Sequence, residues 1–94
     1  MPVTVTLLLF SGRRDPTWEL TAGETAELAA LLRQFSSAPE LSTLGYRGFL
    51  VQSDDPAMPR RTIVRGARDI EEFLLRTGRE HLDEHVIAAV RQSL

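Results

Sequence analysis

Between Val3 and Phe35 the hydrophobic period of the chain changes once, and that change sets the kind of fold open to it. "VTVTLLLF" (Val3 to Phe10) first alternates and then becomes apolar on both sides. This is the pattern of a β-strand whose later half is covered on two faces or lies centrally in a sheet. "SGRRDPTW" breaks the run: Gly12 is free to take positive φ, and Asp15-Pro16 fits the first two positions of a type I turn. A helix follows. Thr21 and Glu24 form a capping box, each side chain satisfying a backbone N–H that the first turn leaves without a partner. Leu28, Leu31, Leu32 and Phe35 then recur at i, i+3, i+4 and i+7 as one apolar stripe, and "SSAPE" stops the helix.

The remaining chain repeats the two periods in short pieces. "LGYRGFLVQS" (Leu44 to Ser53) predicts a second strand, with Gly48 marking a bulge or a close backbone approach. "DDPAMP" is turn chemistry and "RRTIVRGA" a short third strand, which together predict a hairpin with a long tip. Asp69 and Glu72 read as an N-cap pair before "IEEFLLRT", with Arg76 in the last turn and Gly78 as the stop. "LDEHVIAAVRQSL" closes the chain as an amphipathic helix. The order β-α-β-β-α-α predicts an α+β fold: a small two-layer sandwich in which a three-stranded mixed sheet carries its helices on one face. Parallel pairing of the first two strands through the helical crossover would be right-handed and would leave room for the third between them.

Composition narrows the functions available. A length of 94 residues predicts a single domain, 1–94. There is no cysteine, which excludes disulfides, thiolate metal sites and a cysteine nucleophile. "PVTVTLLLF" lacks the basic start and small-residue cleavage site of a signal peptide, and its apolar run is too short for a bilayer, so a soluble cytoplasmic protein is expected. All 11 basic residues are arginine, and neither lysine nor asparagine occurs, a bias that fits a GC-rich bacterial genome. Each cation is therefore a planar fork able to grip carboxylate or phosphate bidentately. The formal net charge of −2 argues against nucleic acid as a partner.

The strand-end loop holds the first candidate site, because ligand sites of α/β sheets lie where a strand hands over to a helix. In one reading Arg13 and Arg14 hold an anion, Asp15 orients a guanidinium, and Trp18, the only tryptophan, supplies an aromatic wall. In the other, Asp15-Pro16 only shapes the turn, Trp18 plugs the sheet–helix seam and the arginines are solvated. Arg47 and Arg65, on adjoining strands, extend the first reading to one anion-binding patch, provided the register brings them to it. The alternative is internal pairing of the basic strand with the acidic helices. "HLDEH" (His81 to His85) matches H-x-x-E-H, but no ligand-type side chain follows His85 to complete a catalytic zinc set. No metal or cofactor is expected; Asp83 and Glu84 read as first-turn acids of the last helix.

No nucleophile and base fall in a recognised catalytic spacing, so the reading leans away from an enzyme. A non-catalytic accessory or binding protein that holds a protein or peptide partner, or a second copy of itself, is favoured. The Arg-rich loop and the wide apolar arc of the last helix, where Ile87 and Leu94 flank the stripe Leu82, Val86, Ala89 and Val90, suit that role. The alternative is a small anionic or carboxylated ligand bound at the same loop.

Overall fold

The alternation at the start of the chain builds a strand, β1 (Val3–Leu7), in a computed structural model that describes residues 3–9, 15–38, 46–56 and 58–94. Val3, Val5 and Leu7 are fully buried on one face, and Thr4 and Thr6 are half-buried on the other. A second strand, β2 (Thr17–Glu19), returns at once antiparallel to β1, setting Trp18 opposite Val5. Helix α1 (Ala22–Leu31) then leads, through a 3₁₀ turn at Leu32–Gln34, towards β3 (Phe49–Ser53) and β4 (Arg61–Val64). Two further helices, α2 (Arg68–Thr77) and α3 (Glu84–Ser93), complete the described chain.

The fold is α+β, but the sheet has four strands in the order β2-β1-β3-β4 and every neighbouring pair is antiparallel. The expected three-stranded mixed sheet is corrected on both counts. β2 is only 3 residues long, too short to display a period of two, so its residues read as loop. The helical crossover does join two parallel strands with a third between them, but these are β2 and β3, and the strand between is β1.

Register explains which residues form the core. Val5 stands opposite both Trp18 and Val51, and Phe49 opposite both Leu7 and Val64, so all these side chains share one face. Leu28 of α1, Ile70, Phe73, Leu74 and Leu75 of α2, and Val90 of α3 pack into the same cluster. Leu32 belongs to it and Phe35 packs at its margin, but Leu31, expected in the stripe, is 38% exposed. Ala89 of the predicted α3 stripe is likewise exposed. Ile63 lies on the opposite face yet is only 2% exposed. Its N–H donates to Ser37 Oγ (2.9 Å) and its carbonyl accepts from Ala38 N–H (2.8 Å), so the segment after α1 flanks this edge of the sheet. That contact blunts an edge that would otherwise offer unpaired backbone groups to another chain.

The capping box of α1 forms as expected: Thr21 N–H donates to Glu24 Oε1 (2.9 Å) and Glu24 N–H to Thr21 Oγ1 (3.1 Å). The Asp69–Glu72 cap of α2 does not. Its N-cap is Ala67, and the carboxylate that accepts the Ala67 N–H (3.0 Å) belongs to Glu71. Gly48 fulfils both parts of its expectation. Leu8 faces two residues at once, donating its N–H to Gly48 O (2.9 Å) while its carbonyl accepts from Arg47 N–H (2.7 Å), which is a bulge. Gly48 has φ 105°, and a Cβ there would lie 2.5 Å from the Val64 carbonyl oxygen.

Gly78 ends α2 as expected, but its φ of −93° is open to any residue. Glycine is required there by packing, since a Cβ would stand 2.4 Å from the Trp18 ring. Helix propensity alone favours Gly78→Ala by up to about 1 kcal/mol. Overlap with the indole is expected to reverse the sign and cost about 1–3 kcal/mol in urea unfolding. An unchanged or raised stability would contradict the seating of Trp18 on this glycine.

Candidate functional site

Register gathers several of the predicted site residues at one end of the sheet. β1 ends where β3 begins and where β4 ends, as the row Leu7, Phe49, Val64 shows, and β2 starts beside Thr6 at the same end. Asp15, Arg47 and Arg65 flank these strand ends; Arg13 and Arg14 lie outside the described residues.

Asp15 closes the strand-end loop. Its Oδ1 accepts the Leu9 N–H (3.2 Å), and its Oδ2 lies 3.8 Å from an Arg47 guanidinium nitrogen, with both side chains largely buried. The bulge at Arg47-Gly48 gives the bond between strands that carries this pairing, because the Arg47 N–H is fixed on Leu8. The guanidinium that Asp15 meets belongs to Arg47, at β3's entry.

Arg65 meets a different carboxylate. Glu71 of α2 is 1% exposed and is the most deeply buried charged residue of the described chain. Its Oε1 accepts from the Tyr46 hydroxyl (2.5 Å) and from Arg65 Nη1 (3.4 Å), and its Oε2 accepts from Ala67 N–H. The Arg65 guanidinium also lies 4.8 Å from the centre of the Tyr46 ring and donates through Nη2 to the Ser93 carbonyl (3.4 Å) at the end of α3. A buried carboxylate is costly unless its lone pairs are satisfied, and here a hydroxyl, a guanidinium and a backbone N–H do so. Tyr46 also packs edge-on against Phe49, with centroids 5.9 Å apart.

Trp18 fills the seam between β2 and α2, the second of the two readings open to it. It is 3% exposed, and its Nε1–H donates to Thr77 Oγ1 (3.0 Å), whose own hydroxyl donates to the Leu74 carbonyl (2.7 Å). The ring stacks on His81 at 6.3 Å and meets Phe49 edge-on at 6.4 Å. β2 forces this inward placement by pairing Trp18 with Val5. His81 therefore lies in a 3₁₀ turn (Arg79–His81) ahead of α3, and not on one helix face with His85. Asp83 is the N-cap of α3, accepting from His85 N–H (2.8 Å). Among the described residues, no three His, Asp or Glu side chains are placed to hold a metal ion, and no helix is long and apolar enough to cross a membrane.

The outer side of α3 offers a separate surface. Leu82, Ile87 and Ala88, with Arg79, Glu84, Arg91 and Gln92, line an open groove of about 690 Å³. Only Val90 of this helix is fully buried, so the remaining apolar arc is shared between the core margin and the groove. No protein-family model, curated protein or solved structure matches the chain significantly.

Tyr46 is the only tyrosine. Burial, the hydrogen bond to Glu71 and that carboxylate's charge push its hydroxyl far above the usual phenol range, against the opposing charge of Arg65. The unfolded chain releases this proton near pH 10 while the folded one holds it. The contribution to stability is complete below about pH 10 and is lost as pH rises beyond it. Phenolate absorbance is expected to grow only as the chain unfolds. A free titration near pH 10 with the native circular dichroism intact would contradict the burial of this pair.

Proposed function

We propose that the protein is a non-catalytic binding module that holds a peptide segment of a partner protein against the outer side of α3. The observation that carries this reading is the groove on that helix: an apolar floor of Leu82, Ile87 and Ala88 beneath the rim arginines Arg79 and Arg91. Arginine beside apolar pockets is the usual composition of an interface anchor. Two guanidiniums against the one Glu84 carboxylate favour a segment that inserts an apolar side chain between acidic neighbours. The strand-end arginines support the same assignment. Arg47 and Arg65 are engaged by Asp15 and Glu71, so their guanidiniums act first in holding strand ends and α3 together.

The reading is tested with synthetic peptides that carry one large apolar residue between either acidic or lysine flanks, followed by fluorescence anisotropy. Acidic flanks are expected to bind more tightly. Ala88→Arg, at an exposed helical position, is expected to fill the groove and weaken binding about tenfold or more with melting unchanged. Equal binding of both peptide series, or full binding by Ala88→Arg, would remove α3 as the docking surface.

A further inference from the structure

At the other end of the sheet a row of polar side chains crosses the outer face. Glu19, Thr4, Gln52 and Arg61 stand side by side on β2, β1, β3 and β4. Arg60 adjoins the row, its position set by a hydrogen bond from Ser53 N–H to its carbonyl (3.0 Å). The turn that follows β3 is shaped by Ser53 Oγ, which accepts the Asp55 N–H (2.9 Å). Thr4, Gln52, Ser53, Asp54, Arg60 and Arg61 together line an open cavity of about 430 Å³.

The donors around this cavity come from three strands: a hydroxyl from β1, a carboxamide from β3 and two guanidinium forks at the start of β4. A carboxylate offers two oxygens in one plane, whereas a phosphoryl group offers three around a tetrahedron and meets donors arriving from different directions. Two guanidinium forks side by side suit a phosphoryl group, which carries about −1.5 to −2 at pH 7. Asp54, an acceptor at the rim, suits a hydroxyl on the ligand's organic portion.

We propose that this cavity binds a small phosphomonoester, with the phosphoryl group on Arg60 and Arg61 and its organic portion towards Asp54. The site is independent of the α3 groove. Its test is a ¹⁵N NMR titration of the intact protein with glycerol phosphate, inorganic phosphate and acetate at constant ionic strength. Saturable shifts centred on Thr4, Gln52 and Arg61 are expected, strongest with glycerol phosphate and weakest with acetate. Arg60→Gln and Arg61→Gln, both at exposed positions, are each expected to weaken binding about tenfold. Gln52→Ala is expected to weaken it less, without moving the native spectrum elsewhere. Absence of saturation, an equal response to acetate, or binding that survives both arginine substitutions would each overturn the proposal.

Discussion

A carboxylate taken out of water must be matched by donors, and the Glu71 carboxylate is matched by three groups from two separate parts of the chain. Tyr46 comes from the entry to β3, Ala67 from the turn between β4 and α2, and Arg65 from the end of β4. Arg65 then reaches the last turn of α3 through the Ser93 carbonyl. One buried charge thereby ties two strand ends and two helices together. Removing one partner of such a buried group generally costs about 3–5 kcal/mol, because the charge that remains has no compensation. The apolar cluster beneath supplies the bulk of the stability, but it is non-directional and does not fix how α3 lies.

This arrangement changes what the arginines are for. The fork geometry that makes arginine a good ligand for external anions makes it equally good at bridging a carboxylate and a carbonyl within the protein. At one end of the sheet Arg65 bridges Glu71 and the Ser93 carbonyl, and Arg47 pairs with Asp15. With α3 held by its C-terminal end, its outer side is left to form the groove lined by Leu82, Ile87 and Ala88. The binding reading thus rests on a helix positioned by electrostatics and exposed along one side.

Much of this was legible in the residues. The alternation that opens β1, the capping box at Thr21 and Glu24, the bulge glycine Gly48 and the stop at Gly78 all encode local events, and each is found. The losses are long-range. β2 spans one turn of the pleat, and only its pairing with β1 makes Trp18 a core residue. Glu71 and Glu72 are indistinguishable by composition, but Glu71 shares a helix side with Leu74, Leu75 and Gly78, and that shared side was the available signal. Arg47 and Arg65 read as members of adjoining strands but lie just outside β3 and β4, and the carboxylates they meet depend on register, which residue pattern alone leaves open.

The account stands on the coupling between Glu71 and the groups around it. A double-mutant cycle of Tyr46→Phe and Glu71→Gln, read by urea unfolding, measures that coupling directly. Groups sharing one buried network should show an interaction energy of about 0.5–3 kcal/mol. Simple additivity of the two single losses would mean that the hydroxyl and the carboxylate act independently, and the account of one shared buried network would fail.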